Sequence, residues 1–142
     1  MVIRTLFFLI GSLAGSSAFA AACHVSQNMS GAQVPAVALE SCYEFTEMPA
    51  EAINWSCSNE STQPQGSEKQ KVAQCKSGAV AQCSAPLTQA TLANHRSTGD
   101  NEQAAEVNVP ADAKVITYFY SLEDSQQAKI DCENGDGAWK AL

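Results

Sequence analysis

KVITYFYSLEDSQQAKIDCENGDGAW, residues 114–139, holds the two clearest structural signals in this 142-residue chain. Lys114 to Tyr120 is a run of β-branched and aromatic residues, the types that fit a half-buried pleated surface, and it predicts a strand. The polar SLEDSQQAKIDC that follows predicts a helix. Ser121 would cap it, with the acid Asp124 three residues on, and Asn134-Gly135 would supply a left-handed stop after Cys132. DCENGDG, Asp131 to Gly137, has the oxygens and glycines of a calcium loop but not the order. An EF-hand loop opened at Asp131 needs Gly at 136 and Glu at 142, where this chain has Asp136 and Leu142, so helix termination is the better account. Beyond it, Trp139 is expected to fold a short tail back onto the core.

Working outward, SCYEFT (41–46) reads as a second aromatic strand and EMPAEAINWSC (47–57) as a second helix with Pro49 in its first turn. A constant offset of 75 residues lays Tyr43 on Tyr118, Phe45 on Tyr120, Thr46 on Ser121, Ile53 on Ala128 and Cys57 on Cys132, which suggests a strand-helix duplication. Between the two, KVAQC (71–75) and AVAQC (79–83) alternate in strand fashion around a turn at Lys76-Ser77-Gly78. LTQATLANHR (87–96) fits a strand or a short helix, and Ser97 to Glu106 reads as a polar loop. The expected fold class is α+β: a small, mainly antiparallel sheet of three to four strands with two short helices on one face. One such domain would fill residues 41–142, behind an irregular arm at 21–40.

The first twenty residues carry Arg4, the apolar run Leu6 to Gly15 and the small-x-small triplet Ala18-Phe19-Ala20, the pattern of a secretory signal peptide cleaved after Ala20. The apolar run is about ten residues, half of what a membrane span needs. The six cysteines, Cys23, Cys42, Cys57, Cys75, Cys83 and Cys132, all lie beyond that site, and an even number in a small exported chain predicts three disulfides. Spacing favours Cys57 with Cys75. The expected address is the periplasm or the extracellular space. Lipid attachment at Cys23, after three alanines, is the alternative, and it would leave an odd number of cysteines.

Removing Arg4 with the signal leaves seven basic residues against fifteen acidic ones, a formal charge of about −8. Phosphate recognition needs clustered cations. The sole local cluster, Lys69, Lys71 and Lys76, is interleaved with Glu68 and polar residues, so neither nucleic acid nor an anionic membrane is an expected partner. No metal or cofactor is expected either, because short Cys-x-x-Cys or His-x-x-x-His pairs are missing from the sequence.

The order of framework residues, an aromatic strand, a helix ending in Cys57, Cys75, VAQC ending in Cys83, ITYFY, and a helix ending in Cys132 before ENGDGAW, resembles small exported bacterial proteins of unknown function. The resemblance spans about Ser41 to Lys140 and rests on cysteines, glycines and aromatics. It implies no activity. The insert Ala85 to Pro110 and the additional Cys23 depart from it.

Nucleophilic catalysis would draw on His24 or His95, the two histidines, and no Gly-x-Ser-x-Gly elbow is present. Sequons at Asn28, Asn54 and Asn59 have meaning only in a eukaryotic host. The expected function is therefore a non-catalytic, monomeric interaction module, an inhibitor or immunity-type factor whose partner is another exported protein. A structural envelope component and a small hydrolase using His95 are the alternatives.

Overall fold

The computed structural model describes residues 22–27, 37–49, 52, 53, 56, 57, 67–88 and 108–142. They build one six-stranded antiparallel sheet from β1 (Ala22–Gln27), β2 (Ala38–Thr46), β3 (Ser67–Val72), β4 (Ala81–Pro86), β5 (Lys114–Leu122) and β6 (Ala138–Ala141). The strand order is β3-β1-β2-β5-β4-β6. A single helix with resolved bounds, α1 (Ser125–Asn134), is found among the described residues. The expected α+β fold with three to four strands and two helices is thus corrected to a mostly β architecture. Of the first expected helix, only a turn is described, closed by the Cys57 amide on the Ile53 carbonyl at 2.8 Å.

Three strands, β1, β3 and β6, largely escaped the sequence reading because they carry little apolar signal. β1 occupies part of residues 21–40, which were expected to be an irregular arm. Its ACHVSQ is small and polar, yet Ala22 and Cys23 are fully buried between β2 and β3. β6 is four residues at the sheet edge, paired to β4 with Trp139 opposite Cys83.

Register assigns the faces. Cys23, Tyr43, Thr117 and Cys83 lie opposite one another across β1, β2, β5 and β4 and share one face, with Val25, Phe45 and Val115 in the neighbouring rows. That face is the core. Cys23, Tyr43, Ile53, Cys57, Leu87, Ala113 and Val115 form its buried cluster. His24, Cys42, Tyr118 and Gln82 line the opposite face.

The three disulfides follow this division. Cys23–Cys57 and Cys83–Cys132 each tie a core-facing strand position to the helical segment above it, and Cys42–Cys75 lies on the opposite face. The expected Cys57–Cys75 clip does not form, because Cys57 sits over the core face while Cys75 belongs to the other. Lipid attachment at Cys23 is excluded as well, since its sulfur is bonded to Cys57.

The sheet is symmetric about the β2–β5 seam: outward from it run β2, β1, β3 on one side and β5, β4, β6 on the other. Each half is strand, strand, helical segment, strand. The 75-residue register between the halves is nevertheless wrong for the strands. Cys23 faces Tyr43 and Cys83 faces Thr117, so Tyr43 corresponds to Thr117. The expected match of Tyr43 with Tyr118 joins a core residue to one on the opposite face, the result of a one-residue slip in a period-two element.

The ends of α1 also differ from expectation. β5 runs through Ser121 to Leu122, and Asp124 is the N-cap, accepting a 2.8 Å bond from the Gln127 amide. At the other end Asp136, not Gly135, takes the left-handed conformation, with φ 56°. The KVAQC and AVAQC stretches do not form a hairpin. β3 and β4 have three strands between them, so residues 73–80 cross the face opposite the core as a strap, fastened to β2 by Cys42–Cys75.

Candidate functional site

The strap closes a cluster of titratable side chains. His24 on β1 and Glu40 on β2 meet through Nε2 and Oε1 at 2.8 Å. Lys76 of the strap donates to the same carboxylate oxygen at 2.5 Å. These hydrogen bonds, Lys76 first and His24 second, hold the Glu40 carboxyl below its ordinary range. Glu40 is ionised at neutral pH and serves as an acceptor.

Opposed register shifts leave Leu39 and Tyr120 without a partner between β2 and β5. Tyr120 donates from its hydroxyl to the Lys76 carbonyl at 2.6 Å, and the Lys76 ammonium lies 4.8 Å from the ring centroid. The Cys75 amide donates to Glu44 Oε1 at 2.9 Å. Burial, then the neighbouring Glu44, raises the Tyr118 hydroxyl above its usual value. Tyr120 is raised by burial and by the nearby Glu44, Glu40 and Tyr118. Each charge here is satisfied by the strap or by the adjoining strand, an arrangement that anchors a segment.

On the core side, Tyr43 and Ser56 share a 2.6 Å hydroxyl pair, and Lys69 of β3 donates to the Ser56 carbonyl at 3.3 Å. Burial pushes the Tyr43 hydroxyl up to about 12 and holds the Lys69 ammonium below its usual value. Ser56 is fully buried, so the trio closes the core beneath the Cys57 turn and offers no hydroxyl to a substrate.

No protein-family model, characterised protein or solved structure matches the chain.

Two concave regions flank α1. One, of about 700 Å³, lies between the start of the helix and the β4–β6 edge and includes Leu122, Lys129, Trp139 and Ala141. The other, of about 410 Å³, lies over the β2–β5 seam and includes Ser41, Thr117, Phe119 and Ala128. No group of three or more metal-binding side chains is found among the described residues. All six cysteines are consumed in disulfides. His95, the loop Ser97 to Glu106, Trp55, the three sequon asparagines and residues 1–20 lie outside the described residues. Sequence reasoning missed the His24–Glu40–Lys76 cluster, whose members stand 16 and 36 residues apart. The feature that could have pointed to it was Lys76 beside Cys75, since a disulfide to β2 fixes where that lysine lands.

Proposed function

We propose that the protein is an exported, non-catalytic interaction module of the inhibitor or immunity type, which docks on another exported protein through the sheet face opposite the core. The carrying observation is that face. On β5 and β4 it presents Ile116, Tyr118, Gln82 and Ser84 at intermediate exposure, beside a strap fixed by a disulfide. Rigid aromatic side chains with a polar tip lose little entropy on docking and are enriched at interfaces. Three disulfides fit an oxidising compartment. Export would come from residues 1–20, with a mature chain that begins at Ala21, one residue before β1. No helix of the described residues is long and apolar enough to cross a membrane.

The test is affinity capture from an envelope extract with the wild-type chain and with Tyr118→Ala. The reading expects one reproducible partner that the variant loses while its unfolding midpoint stays unchanged. Capture of nothing, or equal capture by both chains, would remove the reading.

A further inference from the structure

The disulfides are interleaved. Of the six cysteines in chain order, the first pairs with the third and the second with the fourth, and only the last two are neighbours. We infer that this chain is a substrate of a thiol–disulfide isomerase, which must undo a Cys23–Cys42 bond formed in a slipped β1–β2 hairpin.

Loop length favours the wrong pairs. Cys23 and Cys42 are 19 positions apart and Cys57 and Cys75 are 18 apart, whereas the native bonds span 34 and 33. With closure probability falling as the three-halves power of length, each local bond is favoured about 2.4-fold and the two together about sixfold. In an exported chain the order of emergence adds to this, because Cys23 and Cys42 arrive before Cys57. That second bias rests on the export reading, and the first does not.

Register turns the bias into a trap. In the native hairpin Cys23 lies opposite Tyr43 and His24 opposite Cys42, so the two cysteines are diagonal neighbours on opposite faces. A slip of one residue places Cys23 directly across from Cys42. The bond would lock that slip and turn the whole of β1 over, exposing Val25 and burying His24. Once the native sheet closes, Cys23, Cys42 and Cys57 are at most 2% exposed, so exchange has to come earlier.

The exchange is balanced. The isomerase thiolate attacks Cys42 Sγ, breaking Cys23–Cys42, forming a mixed disulfide and releasing the Cys23 thiolate. Cys23 attacks Cys57 Sγ, forming Cys23–Cys57 and releasing the Cys75 thiolate. Cys75 then attacks Cys42 Sγ, forming Cys42–Cys75 and returning the isomerase thiolate. Two disulfides enter and two leave, with no net oxidation.

The experiment reoxidises the reduced, denatured full chain with a dithiol oxidase that lacks isomerase activity, with and without a purified thiol–disulfide isomerase. Samples are alkylated over time and mapped as disulfide-linked peptides. The expected result without isomerase is an early excess of Cys23–Cys42 over Cys23–Cys57 of about 2.4-fold, converted to the native set when isomerase is added. In Cys42→Ala/Cys75→Ala, Cys23–Cys57 should form equally fast under both conditions. The proposal is overturned if the wild-type chain forms Cys23–Cys57 and Cys42–Cys75 first without isomerase, or if the double variant keeps the same isomerase dependence. Refolding is independent of export, so failure here counts against the trap and leaves the docking reading standing.

Discussion

Gly137 shows how closely the C-terminal turn is packed against a disulfide. A Cβ at this position would stand 2.6 Å from the Cys132 carbonyl oxygen, 2.8 Å from Cys132 Sγ and 2.9 Å from Cys83 Sγ. Neither the helix carbonyl nor the bridge can yield, so Gly137→Ala is expected to cost about 2–3 kcal/mol, read as a lowered urea midpoint. Gly78 in the strap makes the contrast. Its φ of 93° strains any side chain, but nothing lies within 4 Å of a Cβ there, so Gly78→Ala should cost only about 1 kcal/mol. Equal losses at the two positions would refute the packing account.

Tyr43 gives a pH signature. Its hydroxyl is raised from 10.0 to about 12, chiefly by burial, with the Ser56 hydrogen bond opposing. A raised folded-state value means that its contribution is fully present below pH 10 and is lost as pH rises from there through about 12. Over that window the folded state should lose about 2–3 kcal/mol through this group. Tyr43→Phe should flatten the alkaline limb of a stability-against-pH curve, and an unchanged limb would contradict the assignment.

At the scale of elements, α1 and the strap carry separate predictions. α1 has no acidic residue in its first turn and no basic residue in its last, so the Asp124 cap is its main local device. Asp124→Ala should cost about 1 kcal/mol in the thermal or urea transition. The strap depends on one covalent bond and an ion-pair cluster. Cutting the 33-residue link with Cys42→Ala/Cys75→Ala should cost about 4 kcal/mol on the chain-entropy account. The Glu40 contribution has the opposite pH sign to that of Tyr43. Lys76 and His24 lower its value, so its stabilisation is present above the ordinary carboxylate range and fades as pH falls. Glu40→Gln should therefore reduce the loss of stability on the acid side, measured as the unfolding midpoint against pH. These elements were only partly legible in the sequence. β5 and the aromatic part of β2 announced themselves through β-branched and aromatic residues. β1 and β3 did not, because ACHVSQ and SEKQKV have too few apolar positions to show a period. The apparent hairpin at Lys76-Ser77-Gly78 failed for another reason: alternation identifies strands but not which strand lies beside which.

For the whole molecule, the three disulfides close spans of 34, 33 and 49 residues, and each is worth about 4 kcal/mol by the same reckoning. Their sum rivals the total stability of a domain this size, so complete reduction should abolish cooperative unfolding, as followed by near-ultraviolet circular dichroism. A fully cooperative transition in the reduced chain would show that the apolar core suffices alone. The sequence by itself determined that the six cysteines would pair and that two aromatic strands and a C-terminal helix would form, because cysteine number, residue shape and local capping chemistry act over short distances. Only the tertiary structure decided the partners of those cysteines, the face taken by each tyrosine, the symmetric six-strand order and the meeting of His24, Glu40 and Lys76. Those outcomes depend on register, and one residue of slip reverses every side chain of a strand while leaving its composition untouched.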